Sequence, residues 1–240
     1  MRLQDYRKKR KFAETPEPAG RVRANSRTRI FVVQKHAASH LHYDFRLAIS
    51  GVLVSWAVPK GPSMNPAEKR LAIRTEDHPL EYAQFEGVIP KGQYGAGTVM
   101  VWDTGPYEAQ DGVPSDEQLA RGKIDIVLHG TRLRGGFTLV RTEKRSVVRT
   151  QKERWILVKQ RDEYADPAWD IESVRFERSV LSGRRMMDIE MGDERKTARL
   201  SRFQACGEGS INSSFNFTVC LFPAASTIST LESISPPSSM

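Results

Sequence analysis

The run His36-Ala37-Ala38-Ser39-His40-Leu41-His42-Tyr43-Asp44-Phe45-Arg46-Leu47 concentrates side chains that bind metals and phosphates. Alternate residues of a β-strand share a face, so His40, His42, Asp44 and Arg46 point one way while Leu41, Tyr43, Phe45 and Leu47 point the other. An ordinary half-buried strand carries Thr, Ser, Lys or Glu on its wet side. Two imidazoles, a carboxylate and a guanidinium in succession call for another explanation. Histidine nitrogen and aspartate oxygen suit Mn²⁺, Zn²⁺ or Fe²⁺, and His36, at the end of the preceding strand, completes a two-His, one-carboxylate ligand set. A metal there would polarise a phosphoryl oxygen or activate water, and Arg46 is placed to grip a phosphate with its planar fork of donors. A single His on a strand is more often a hydrogen-bonded surface or core residue than a ligand, so the group carries the argument. His40 stays open between orienting a ligand and lying outside the site.

Three weaker features surround this run. Glu76-Asp77-His78-Pro79-Leu80-Glu81-Tyr82 places a second His directly after an expected strand, where a loop can bring it to the same site. Val58-Pro59-Lys60-Gly61-Pro62-Ser63 sets a Lys in a Pro/Gly turn, aimed at a phosphate or simply solvated. Gly92-Gln93-Tyr94-Gly95-Ala96-Gly97 is glycine-rich but leads into a strand, so it is neither a dinucleotide fingerprint nor a P-loop, and a tight turn is its default reading.

The elements that must position these residues are short β-rich runs separated by turn residues, beginning near Arg29. Strands are expected at 29–35, 40–48, 52–58, 70–75, 97–103, 123–129, 134–142 and 154–160, with a hairpin turn at Ser50-Gly51. The fold class is mainly β, a compact closed barrel of about eight strands with short flanking helices. One helix is expected from Ser115, as an N-cap with Gln118 three residues later, and a helical turn after Pro79. The expected organisation is a basic N-terminal arm over 1–28, the barrel over 29–161, a linker-like segment over 162–195 and a Ser-rich disordered tail over 196–240.

The chain has 240 residues, a hydrophobic fraction of 39% and a formal net charge of +8, enough for one sizeable core and a surface that attracts polyanions. The two cysteines, Cys206 and Cys220, leave the body of the chain without a disulfide framework, which fits a reducing compartment. The charged N-terminus is no secretory signal and no apolar run is long enough to span a membrane. A cytoplasmic, nucleoid-associated monomer with no membrane partner is expected.

Several motifs together resemble the 3′-phosphoesterase domain of bacterial DNA ligase D. They are Phe-Val-Val-Gln-Lys-His at 31–36, the run from Ser39 to Leu47, Ser-Trp-Ala-Val-Pro-Lys-Gly-Pro-Ser at 55–63, Glu-Asp-His-Pro-Leu at 76–80, Phe-Glu-Gly-Val-Ile-Pro at 85–90 and Tyr-Gly-Ala-Gly at 94–97. The similarity runs from about Tyr6 to about Arg161. It implies a Mn²⁺-dependent site, other divalent metals being open, that removes a 3′-terminal ribonucleoside and then the 3′-phosphate from DNA or DNA/RNA primer-template ends, leaving a 3′-hydroxyl for repair. It also implies His36, His42 and Asp44 as metal ligands and Arg46 and His78 as phosphate-holding groups. Arg10, Glu17, Gln34, Lys60, Arg70, Glu76 and Tyr82 match positions that line or support the site. End-binding Ku and a separate ligase or polymerase are the partners that the resemblance suggests.

One departure stands out. Related domains carry Arg-Asp in the arm where this chain has Arg10-Lys11, so ribonucleoside removal is expected to suffer more than phosphate removal. Ser179-Val180-Leu181-Ser182-Gly183-Arg184 resembles the linker to a ligase domain, but the ligase lysine motif is absent, so a stand-alone or truncated member is expected. Two rival readings are a non-catalytic nucleic-acid-binding module on the same fold, for which Lys11 is the one hint, and a cupin-like metal oxygenase, against which Arg46 and the basic arm count.

Overall fold

The computed structural model describes residues 3–23, 28–142 and 153–192. Nine strands follow one another: β1 (Ile30–Ala37), β2 (Leu41–Ile49), β3 (Val52–Val58), β4 (Arg70–Arg74), β5 (Gly87–Ile89), β6 (Gly97–Ala109), β7 (Lys123–His129), β8 (Arg134–Arg141) and β9 (Arg154–Lys159). They pair in the order β1-β2-β3-β4-β9-β8-β7-β6-β5, every pairing antiparallel, and β6 pairs back onto β1. Eight strands therefore close a barrel, and β5 lies outside it on β6. Closure leaves the eight with no continuous open edge to template aggregation.

Strand alternation sorts the side chains into two layers. Phe31, Val33, Phe45, Trp56, Phe137 and Trp155 fill the barrel interior with no exposed surface, each burial contributing about 1.5–3 kcal/mol. Ile171, Phe176 and Ile189, from the segment after β9, join that same cluster and close over it. On the outer face of β1–β3, a second cluster forms from Tyr6, Val32, Leu53, Tyr82, Phe85, Ile89 and Val101. The N-terminal arm is thereby packed onto the wall: its helix α1 (Gln4–Lys8) buries Tyr6, whose hydroxyl donates to the Pro18 carbonyl at 2.6 Å.

The β2–β3 hairpin turns at Ser50-Gly51 with φ of 48° and 82°, the primed geometry that suits the right-handed twist of the strands. Three local differences from the sequence expectation have physical causes. β6, expected over 97–103, continues through Gly105-Pro106 to Ala109. Gly105 is required because a Cβ would lie 2.2 Å from the His129 carbonyl oxygen of the neighbouring turn. β5 spans three residues, too few to show alternation. Helix α2 (Ser115–Arg121) forms without a capping box. Its N-cap is Pro114, and the Gln118 side chain instead donates to the Gln110 and Val113 carbonyls and accepts from the Asp125 amide. The helical turn after Pro79 is a 3₁₀ helix over Leu80–Gln84.

Residues 179–180 tie the later segment to the barrel, with the Ser179 hydroxyl on Glu86 and the Val180 amide on the Val101 carbonyl at 3.1 Å. Among the described residues no helix is long and apolar enough to cross a membrane. Cys206, Cys220 and the stretch 196–240 lie outside the described residues.

Candidate metal and phosphate site

The outer face of β1–β3 carries the polar side chains in register. His36 pairs with His42 and Gln34 with Asp44 across β1–β2, while Asp44 faces Ala57 and Arg46 faces Ser55 across β2–β3. The β1–β6 ladder shifts between Val33 and Gln34, a bulge of the kind that re-aims side chains near sites. The small side chain of Ala57 leaves space over Asp44, and a cavity of about 430 Å³ opens there, bordered by Arg10, His36, His42, Asp44, Arg46 and His78 among others.

His36, His42 and Asp44 present one ligand atom each within 4.8 Å of one another. His36 Nδ1 lies 3.6 Å from Asp44 Oδ2, and His42 Nε2 lies 3.8 Å from Asp44 Oδ1. The opposite nitrogen of each ring meets a backbone carbonyl: His36 Nε2 that of Gly95 at 2.9 Å, and His42 Nδ1 that of His40 at 2.9 Å. A carbonyl only accepts, so each of these nitrogens carries a proton, and the other nitrogen of each ring is the one turned to Asp44. This outer-shell arrangement is the one that prepares imidazoles for a metal. Burial works against ionisation of the Asp44 carboxyl, but the Arg46 guanidinium and the two nearby imidazoles hold it well below the usual carboxylate range. The donor set, two imidazole nitrogens and one carboxylate oxygen, fits a borderline divalent ion.

Arg46 is 3% exposed and held on three sides: Nε donates to Gln34 Oε1 at 2.8 Å, Nη1 to Ser55 Oγ at 2.8 Å and Nη2 to Asp44 Oδ2 at 3.0 Å. Gln34 is held in turn by the Tyr82 and Phe85 carbonyls, to which its amide donates at 3.1 and 3.0 Å. Arg10, from the arm, reaches the same place. Its Nε donates to Glu17 at 2.7 Å and its Nη1 to Glu76 at 3.3 Å and to the Tyr6 carbonyl at 3.2 Å. Glu17 also accepts from the Tyr82 hydroxyl at 3.0 Å and from Thr15 at 3.0 Å, so one buried carboxylate knits the arm to the barrel.

His78 sits between the two guanidinia, its Nδ1 2.8 Å from Arg46 Nη1 and its Nε2 3.2 Å from Arg10 Nη2. Burial, then the positive charges of Arg46 and Arg10, push its pKa far below the ordinary range, so the ring is neutral. Its Nδ1 also lies 2.9 Å from the Glu76 carbonyl, which only accepts, so Nδ1 carries the proton and Nε2 is the nitrogen that accepts from Arg10. Among the described residues, Arg46 Nη2 meets only Asp44 and Arg10 Nη2 only His78, so each retains one N–H for a further acceptor. Two buried guanidinia with donors to spare, beside a group of candidate metal ligands, have the chemistry that a small anion such as phosphate would take.

The sequence-derived residues fall into three groups by position. Arg10, His36, His42, Asp44, Arg46, Glu76, His78 and Tyr82 border the cavity. Glu17 and Gln34 stand behind it as the partners of Arg10 and Arg46. Lys60, exposed in the turn after β3, and Arg70, paired with Glu68 at the start of β4, are not among the bordering residues. His40 is exposed, borders the cavity, and its carbonyl accepts from His42 Nδ1. Lys11 projects into solvent with its side chain 74% exposed, 3.6 Å from Glu14. The 92–97 loop stands out in the sequence only as a tight turn and a motif of the resemblance, with no role for Tyr94 or the Gly95 carbonyl, and Lys9, which pairs with Tyr94 across the rim, is not singled out there. Ser55 was detectable only once its register with Arg46 is known.

The model for the family described as "DNA Ligase D 3′-phosphoesterase domain" matches residues 34–141, the stretch that contains the triad, Arg46 and His78. These residues belong to the DNA ligase D 3′-phosphoesterase domain family. The multifunctional non-homologous end joining protein LigD of Pseudomonas aeruginosa is 49% identical over 162 residues, covering 67% of this chain and 19% of that protein. The multifunctional non-homologous end joining DNA repair protein LigD of Mycobacterium tuberculosis is 49% identical over 144 residues, 59% of this chain and 18% of that protein. The LigD of Mycolicibacterium smegmatis is 44% identical over 147 residues, 59% of this chain and 19% of that protein. The chain thus spans about a fifth of the length of these LigD relatives. Arg10 and Glu17 precede the 34–141 match; Arg10 borders the cavity from the arm and Glu17 holds it from behind.

Proposed function

We propose that this chain is a divalent-metal-dependent 3′-phosphoesterase of non-homologous end joining, removing a 3′-terminal ribonucleoside and a 3′-phosphate from DNA or primer-template ends to leave a 3′-hydroxyl. The observation that carries the reading is the adjacency of the prepared His36, His42, Asp44 triad to the spare N–H groups of Arg46 and Arg10. The relatives are end-joining repair proteins by name, which supplies the substrate class. Mn²⁺ is the proposed ion, held by His36 Nδ1, His42 Nε2 and the Asp44 carboxylate. When bound it supplies Lewis acidity and an activated water.

The chain's own residues do the rest. Arg46 and Arg10 donate to the phosphoryl oxygens and offset the charge that grows on them as water attacks phosphorus. Their orientation is preset by Gln34, Ser55 and Asp44 on one side and by Glu17 and Glu76 on the other, so little reorganisation accompanies the reaction. Neutral His78, its Nδ1–H donating to the Glu76 carbonyl at 2.9 Å, keeps the two guanidinia apart without adding a third positive charge and so holds the phosphate-binding groups in place. Ku and a separate ligase or polymerase are the proposed partners, consistent with the basic net charge of +8.

The test uses a primer-template ending in a 3′-ribonucleotide or a 3′-phosphate, incubated with Mn²⁺ and the wild type, His42→Ala or Asp44→Ala. Wild type should leave a 3′-hydroxyl and neither variant should. A wild type that binds the duplex but leaves both ends intact with every divalent ion tried would make the chain a nucleic-acid-binding module instead.

A further inference from the structure

Tyr94 is a large aromatic side chain left 42% exposed, and it borders the cavity beside the metal triad. The loop that carries it is fixed. The neighbouring Gly95 carbonyl accepts from His36 Nε2 at 2.9 Å, and the neighbouring Gln93 amide donates to Glu14 of the arm at 2.6 Å. Lys9, also in the arm, donates to the Tyr94 hydroxyl at 3.2 Å with its ammonium 4.5 Å from the ring centroid, and to Glu76 at 3.0 Å. Arg10 lies 5.7 Å from the same centroid. An exposed ring held this firmly over a phosphate receptor has its orientation set before any ligand arrives. Nothing in the metal or phosphate chemistry uses it.

We propose that Tyr94 is the platform on which the base of the departing 3′-terminal nucleoside stacks, so that it selects diester ends over bare 3′-phosphates. The inference rests on the phosphoesterase reading and names a recognition element within that site. Two features assign the ring to the departing side rather than to the retained strand. The arm closes this wall through Lys9–Tyr94 and Glu14–Gln93. A chain end fits under such a closure, whereas a strand continuing into a duplex must leave by an open side. The ring also stands next to the Gly95 that orients His36, which puts it near the phosphorus from which the nucleoside 5′-oxygen departs. In that step the P–O bond to the 5′-oxygen breaks as the water oxygen bonds to phosphorus, and the water proton ends on the nucleoside hydroxyl. Stacking is indifferent to base identity because every base has a π-face, which suits a general end-trimming site.

The experiment compares wild type, Tyr94→Ala and Tyr94→Phe with Mn²⁺ on three matched primers, ending in a 3′-ribonucleotide, in an abasic 3′-ribose or in a 3′-phosphate. Tyr94→Ala should lower kcat/KM on the ribonucleotide end by roughly 5- to 150-fold while the 3′-phosphate end changes little. Tyr94→Phe should restore the loss. Wild type should lose a similar factor on the abasic end, where Tyr94→Ala should cost nothing further. With metal withheld, 2-aminopurine as the terminal base should be quenched by wild type and Tyr94→Phe but not by Tyr94→Ala. Equal slowing of the ribonucleotide and phosphate ends would assign Tyr94 to support of Gly95 and His36 and overturn the inference, as would no slowing of either. A wild type inert on all three ends overturns the phosphoesterase reading itself, which the variant pattern alone does not.

Discussion

Replacing Gln34 with Leu removes one of the three links that fix Arg46 and leaves the identity of every residue that borders the cavity unchanged. The amide makes three hydrogen bonds, one from the Arg46 guanidinium at 2.8 Å and two to the Tyr82 and Phe85 carbonyls at 3.1 and 3.0 Å, and the residue has no exposed surface. Losing a bond to a charged group costs about 1.5–3 kcal/mol and each stranded carbonyl about 1 kcal/mol or more. The leucine returns about 1 kcal/mol by apolar burial. The net loss is about 3 kcal/mol, equivalent to a fall of roughly 6–12 °C in Tm for a domain of this size. Urea unfolding should show the midpoint falling with an unchanged slope. Gln34→Glu, which keeps the acceptor for Arg46 but loses both donations, should lie between Leu and wild type. With Arg46 loosened, hydrolysis of a 3′-phosphate should slow about 100-fold at most. A Leu variant within about 1 kcal/mol of wild type would refute the claim that Gln34 is the anchor.

Acid sensitivity follows from Asp44 and Glu76, whose carboxyls lie below their ordinary range in the folded state despite burial, Asp44 through Arg46 and the imidazoles, Glu76 through a backbone hydrogen bond, Lys9 and Arg10. A depressed folded pKa stabilises above the unfolded value and that contribution disappears as pH falls, so the urea midpoint should hold near neutrality and drop below about pH 4. Asp44→Asn should flatten that acid limb, and an unaltered limb would count against the assignment. Lys11→Asp should raise ribonucleoside removal relative to phosphate removal by roughly tenfold, measured on the two ends in parallel; an unchanged ratio would show that the charge at 11 is immaterial. Gly105→Ala should cost about 1–3 kcal/mol by calorimetry, because its Cβ would meet the His129 carbonyl at 2.2 Å.

Much of the site was legible because a strand displays its faces in sequence. The alternation from His42 to Leu47 separates Asp44 and Arg46 from Tyr43, Phe45 and Leu47, and the structure places the first pair on the outer wall and the other three in the core. What alternation cannot show is which strand lies alongside. Ser55, the Gly95 carbonyl and the His40 carbonyl act through backbone register and loop closure, and none has a type or spacing that marks it. Lys9 and Tyr94 meet across 85 residues of sequence, so their pairing is a property of the arm's docking alone. Conversely, Arg70 rests on resemblance alone and Lys60 on resemblance and a Pro/Gly turn that equally suits a solvated Lys, and both lie off the cavity's border. The strand expected over 97–103 runs on through Gly105-Pro106 to Ala109, because the close approach of the His129 turn needs a glycine there, a contact that the sequence does not display.

The most direct test of the central claim is release of inorganic phosphate from a 3′-phosphate-terminated primer-template by chelator-stripped protein as Mn²⁺ is returned stepwise. The stripped wild type should be inactive, activity should return and level off at one bound ion per chain, and Asp44→Asn should stay inactive throughout. Phosphate release that persists in excess chelator, or full recovery of the Asp44→Asn protein, would contradict the assignment of His36, His42 and Asp44 as the metal centre of a phosphoesterase.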